Sequence, residues 1–92
     1  MLNKDELIKN FCNGLEKGKG SNLEILKGGN KTLLINYGTI IAVRDTNGTI
    51  FLNTIKYSRT TSKNQNLIRR YANNIIEIDN YSYIYSIATN SN

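Results

Sequence analysis

The stretch TIIAVRDTNGTIFLNTI, residues 39–55, decides the fold. Two runs rich in β-branched and apolar residues, Thr39 to Arg44 and Thr49 to Ile55, flank the dipeptide Asn47-Gly48. Asn-Gly suits a type I′ turn because both residues tolerate positive φ at little steric cost. The spacing predicts a β-hairpin, and it is the strongest local signal in the chain.

Outward toward the N-terminus, Leu23 to Lys27 and Lys31 to Asn36 enclose Gly28-Gly29-Asn30 and read as a second hairpin. Before it, Leu7, Ile8, Phe11, Cys12 and Leu15 form one apolar stripe at helical period. Asn3 with Glu6 makes a capping box ahead of that stripe, and Leu2 and Leu7 are placed as a hydrophobic staple. Gly14, Gly18 and Gly20 weaken helix continuation, so Glu16 to Ser21 reads as a basic, flexible connection.

Outward toward the C-terminus, Ser62 with Gln65 forms another capping box, and Leu67, Ile68, Tyr71, Ala72 and Ile75 repeat the helical stripe. Ile75 to Ile78 and Tyr81 to Ile87 then read as strands joined by a tight turn at Asp79-Asn80. Tyr81, Tyr83 and Tyr85 would line one face of the last strand. Helices and strands are segregated along the chain. The expected architecture is therefore α+β: an antiparallel sheet of about five strands with two amphipathic helices packed on one face. The 92 residues make a single domain, 1–92, ending in a flexible polar tail at 89–92.

Composition removes several function classes. One cysteine and no histidine exclude an intramolecular disulfide framework, cysteine metal clusters and the common zinc sites. No stretch has the length and apolarity of a signal peptide or a membrane span, so cytoplasmic residence with no membrane partner is expected. The candidate carboxylates Asp5 with Glu6, Asp45, and Glu77 with Asp79 are explained as helix-start, turn and strand-face residues. Gly18-Lys19-Gly20-Ser21 follows a helix and lacks the spacing of a phosphate-binding loop, and Cys12 sits on an apolar stripe. No catalytic residue, metal or cofactor is assigned. A chain this small often recovers buried area by pairing with itself, which keeps a homodimer open.

Charge is unevenly distributed. Residues 1–55 carry seven bases and five acids, residues 56–74 five bases and no acid, and residues 75–92 two acids, so the middle segment alone equals the net +5. Lys56, Tyr57, Arg59, Thr60, Thr61, Lys63, Asn66, Arg69 and Arg70 are the candidate partner- or anion-binding residues. On a helical wheel Lys63, Asn66, Arg70 and Asn73 fall opposite Leu67, Ile68 and Tyr71, so ligand contact and core packing need not compete. The hydroxyl run Ser58 to Ser62 leads into a helix N-terminus, where free N–H groups favour an anion over which Arg59 could close. The ordinary reading of the same residues is a cap at the start and dipole complementation by Arg69 and Arg70 at the end.

From about Asn22 to Tyr71 the chain resembles a family of small uncharacterised proteins of bacteriophages and other mobile elements. The residues that carry the resemblance are Tyr37-Gly38-Thr39, Ile41-Ala42, Arg44-Asp45, Asn47-Gly48, Leu52-Asn53 and above all the block Lys56-Tyr57-Ser58-Arg59-Thr60-Thr61-Ser62-Lys63-Asn64-Gln65. The family pattern often has histidine where this chain has Asn64, which closes any acid–base or metal role at that position. The resemblance implies a phage or prophage setting, and with it an anti-CRISPR-like protein that blocks a host defence nucleoprotein by stoichiometric binding. Two other ligand classes stand beside it. One is nucleic acid, with Asn64, Gln65 or Asn66 reaching base edges; the other is a small anionic nucleotide held at Ser58 to Ser62.

Overall fold

The computed structural model describes residues 3–89. The elements run α1 (Lys4–Cys12), β1 (Gly18–Gly20), β2 (Leu23–Gly28), β3 (Lys31–Asn36), β4 (Thr39–Arg44), β5 (Ile50–Asn53), α2 (Arg59–Tyr71), β6 (Ile75–Ile78) and α3 (Tyr81–Thr89). The strands form one six-stranded sheet in sequence order. Neighbours are antiparallel from β1 to β5, and β6 joins β5 in parallel. The parallel pair follows from α2, which acts as a crossover and returns the chain to the end of the sheet where β5 began. The α+β class thus holds, with a sixth strand, one parallel pair and a third helix beyond the expected elements.

Each hairpin has its own turn chemistry. Asn47-Gly48 does not form the expected type I′ turn, because only Gly48 has positive φ, at 86°. Asp45 pairs with Thr49 across a three-residue loop, and its Oδ1 accepts from the backbone N–H of Asn47 and Thr49, each at 2.9 Å. That carboxylate favours the longer loop over a two-residue one. Two other turns have both central residues at positive φ: Ser21-Asn22 between β1 and β2, and Tyr37-Gly38 between β3 and β4.

The first face of the sheet is covered by α1 and α2. Leu7, Ile8, Phe11 and Ile68 pack there on Leu23, Ile25, Leu34, Ile41, Ala42, Ile50 and Leu52. Each large apolar side chain buried in this way contributes on the order of 1.5–3 kcal/mol. The capping box is present, since Asn3 Oδ1 accepts from Glu6 N–H at 2.9 Å; Leu2 of the staple lies outside the described residues. In β4 every residue from Ile40 to Arg44 is buried, because both faces are covered and a bulge at Ile41 turns Ile41 and Ala42 to the same side.

Two further expectations need correction. Glu16 to Ser21 is no mere linker: residues 18–20 form β1, paired with β2. Gly18 is there for close approach, since a Cβ would meet Leu7 Cδ1 at 2.9 Å. Tyr81 to Ile87 is no strand but part of α3, and Asn80 caps that helix by accepting from Tyr83 N–H at 3.1 Å. Ile84 and Ala88 are buried on the second face of the sheet against Ile40, Val43 and Ile78, with Tyr81 and Ile87 beside them. The β propensity of the tyrosines loses to the need to cover that face. The tail expected over 89–92 falls outside the described residues from position 90, and Thr89 ends α3. Among the described residues no helix is long and apolar enough to cross a membrane.

Candidate partner-binding face on the helix pair

The segment after β5 starts its helix one turn earlier than Ser62 suggested. Ser58 is the N-cap of α2, its Oγ accepting from Thr61 N–H at 3.2 Å. The block Lys56 to Gln65 is thereby split between a solvent face and a core face. Thr61, Asn64, Gln65 and Ile68 point inward, whereas Arg59, Lys63, Asn66 and Arg70 fall on an outward stripe. At 1.5 Å per residue the stripe from Arg59 to Arg70 is about 16 Å long.

Structure adds a residue to this stripe that sequence spacing could not supply. Lys4, in the first turn of α1, joins Lys63, Asn66, Leu67 and Arg70 in lining one groove of about 340 Å³. Among the described residues, Lys4, Arg59, Lys63 and Arg70 take part in no ion pair. The acids of the same corner are engaged: Asp5 Oδ1 accepts from Tyr71 OH at 2.5 Å, and Glu6 is bonded within the α1 cap. The bond to Asp5 raises the Tyr71 phenol above its ordinary pKa, with burial adding to the shift. Lys9 lies 6.0 Å above the same ring. The groove is thus a cationic surface with an apolar floor at Leu67.

The other candidate residues fall into different roles. Lys56, Arg59 and Thr60 are exposed at the start of α2. Tyr57 is 43% exposed while its hydroxyl accepts from Asn53 Nδ2 at 2.9 Å, which orients the ring as an aromatic anchor would require. Arg69 is committed to Glu77 at 3.2 Å and to Asn66 Oδ1 at 2.9 Å. Thr61 does not belong to a contact surface: it is buried, and its hydroxyl donates to Asn36 Oδ1 at 2.9 Å. Gln65 is also withdrawn, bridging the carbonyls of Asn53 and Ile55 at 2.6 and 3.0 Å. This bridge ties α2 to the end of β5.

Asn64 is fully buried, and neither its Oδ1 nor its Nδ2 has a hydrogen-bond partner among the described residues. Burial removes Asn64 and Gln65 from the base-reading role that a nucleic-acid ligand would have given them. It also narrows the helix-start anion site, because Thr61 N–H is already satisfied by Ser58 and the Thr61 hydroxyl faces the core.

A larger cavity of about 640 Å³ lies at the C-terminal end of α1, lined by Cys12, Asn13, Arg44, Asp45 and Asn74 among others. Its chemistry is structural. Arg44 is buried, donates to the carbonyls of Phe11 and Leu15, and stacks 5.3 Å from the Phe11 ring. It thus closes the negative end of α1 and fastens it to β4. Burial lowers the guanidinium pKa, against which Glu16 and Cys12 act. Burial likewise pushes the Cys12 thiol up to about 11, the opposite of what a nucleophile requires.

No curated protein and no solved structure matches the chain. The sequence model of a family of unknown function, DUF8033, matches residues 8–84, well over half of the chain, and the protein belongs to that family.

Proposed function

We propose that the protein is a non-enzymatic, cytoplasmic, phage-type anti-defence protein that binds a host nucleoprotein stoichiometrically through the groove between α1 and α2. One observation carries this reading: Lys4 of α1 converges with Lys63, Asn66 and Arg70 of α2 on a groove whose cations pair with no carboxylate among the described residues. Such a face attracts an anionic surface and raises its rate of encounter. Leu67 at the floor and the oriented ring of Tyr57 add apolar contact area, which suits a protein component in the partner. The phage setting comes from the resemblance carried by the Lys56 to Gln65 block.

Direct nucleic-acid binding is the rival class. Phosphate contacts along the stripe would serve it equally well, but Asn64 and Gln65 are buried, and of the three expected base readers only Asn66 stays exposed, with its Oδ1 already accepting from Arg69. The deciding experiment is affinity capture of the tagged protein from a lysate of a low-GC host, with and without nuclease, at low and high salt. A discrete protein recovered with the wild type after nuclease treatment, and lost with Lys63→Glu/Arg70→Glu, is the expected result. Both positions are exposed, so the fold should be kept, with the melting temperature lowered only slightly by loss of the Arg70 contact to the Tyr71 hydroxyl and of its charge at the helix end. Recovery of nucleic acid alone, lost at high salt, would overturn the proposal in favour of direct binding.

A further inference from the structure

The two edges of the sheet are unlike. At one, β1 is three residues long, reads Gly-Lys-Gly and carries an exposed lysine, features that discourage strand addition. At the other, β6 reads Ile-Ile-Glu-Ile and has neither proline, lysine nor a bulge, and Ile76 is 47% exposed. Such an edge is a template for another strand.

The direction in which its backbone groups point is fixed by the pairing with β5. Ile50 N–H donates to Asn74 O and Thr54 N–H to Ile78 O, each at 2.9 Å, in the register Ile50 to Ile75 and Asn53 to Ile78. In a parallel ladder this directs residues 74, 76 and 78 toward β5. The N–H and C=O groups of Ile75 and Glu77 therefore point away from the sheet.

From this we infer that β6 is a two-fold homodimer interface, on which β6 of a second copy adds antiparallel to make a continuous twelve-stranded sheet. A two-fold axis normal to the sheet keeps each face on its own side, so it pairs only residues of the same side-chain parity. With Ile75 opposite Glu77 of the second copy, and Glu77 opposite its Ile75, both outward-pointing residues are used twice and four backbone hydrogen bonds form. Ile76 then meets its own copy at the axis, as a non-hydrogen-bonded pair with close side chains.

Neighbouring registers are worse. Setting Glu77 against Glu77 places like charges directly opposite, which is destabilising. Setting Ile75 against Ile75 requires residue 73 to continue the strand, and the chain bends at 73 and 74. Glu77 keeps its intrachain bond to Arg69 in the favoured register, so its charge stays answered within the copy. The edge is self-complementary in hydrogen bonding and apolar contact and sets no like charges directly opposite, and this selects a second copy over an unrelated strand.

The test combines mass, exchange and crosslinking on the full chain. Sedimentation should show twice the 10.4 kDa chain mass at high concentration and dissociation on dilution. The amide protons of Ile75 and Glu77 should become protected as concentration rises. Ile76→Lys places two cations together at the axis and should give a monomer with unchanged circular dichroism. Ile76→Cys should oxidise to a crosslinked dimer, while Glu77→Cys, diagonal to its own copy, should crosslink far less. A chain of monomer mass at all concentrations, or Ile75 and Glu77 amides whose exchange ignores concentration, would overturn the inference. So would a dimer that survives Ile76→Lys.

Discussion

Replacing Asn64 by leucine should make the protein more stable. Asn64 is 0% exposed, and both polar atoms of its side chain lack partners among the described residues. A buried donor or acceptor left unsatisfied costs about 1–3 kcal/mol, so the pair is worth roughly 2–6 kcal/mol. Leucine has the same branched skeleton with methyl groups in place of Oδ1 and Nδ2. Those methyls are bulkier, and overpacking in a tight core costs about 1–3 kcal/mol. Better helix propensity at an interior position of α2 returns a few tenths of a kcal/mol. The net expectation is a gain of about 2 kcal/mol, which for a domain of this size corresponds to a rise in Tm of about 8–16 °C. Urea denaturation followed by far-UV circular dichroism gives the free energy directly, and an unchanged m-value shows that the denatured state has not shifted. A loss of stability would refute the reasoning, because it would mean that the amide has a partner in solution, such as an enclosed water. If Asn64→Leu is more stable but captures less partner, the buried amide is retained for function at the expense of stability.

Three more outcomes follow from particular contacts. Gly18→Ala should destabilise by about 1–3 kcal/mol, since its Cβ would lie 2.9 Å from Leu7 Cδ1 in the core; denaturation measures it, and a neutral result would mean β1 can slide away from α1. Arg44→Leu should cost about 1–3 kcal/mol by removing the guanidinium donor from the Leu15 carbonyl and from the Phe11 carbonyl, which keeps only the Gly14 N–H at 3.3 Å, with hydrogen exchange accelerated in the last turn of α1. Cys12 has a folded-state pKa of about 11, raised by burial from 9.0, so its contribution is complete below pH 9 and disappears as pH rises toward 11. Stability measured across that range should fall less steeply in Cys12→Ala than in the wild type, and Cys12 should react with thiol reagents at pH 8 more slowly than a free cysteine.

Local chemistry made much of this molecule legible in advance. The α1 stripe from Leu7 to Cys12 and the α2 stripe through Ile68 bury the faces that their periodicity marks, and the β2–β3 and β4–β5 hairpins form where the chain changes to strand character. The errors lie where one local signal fits two structures. Tyr81, Tyr83 and Tyr85 alternate as in a strand, yet Tyr81, Ile84 and Ala88 also lie on one side of a helix, and only the uncovered second face of the sheet selects between the two. Ser62 with Gln65 satisfies the capping-box pattern as Ser58 with Thr61 does not, but Gln65 is needed at the carbonyls of Asn53 and Ile55, and that contact sets the start of α2.

The same division runs through the candidate site. Sequence by itself determined that one segment carries the excess charge and that Lys63, Asn66 and Arg70 share an outer face, because helical period is a property of the chain alone. Tertiary structure decided that Lys4 completes the groove, that Thr61, Asn64 and Gln65 are withdrawn from it, and that β6 is left with an open edge. Those outcomes depend on which elements meet, and a contact between residues sixty positions apart leaves no mark in the periodicity of either.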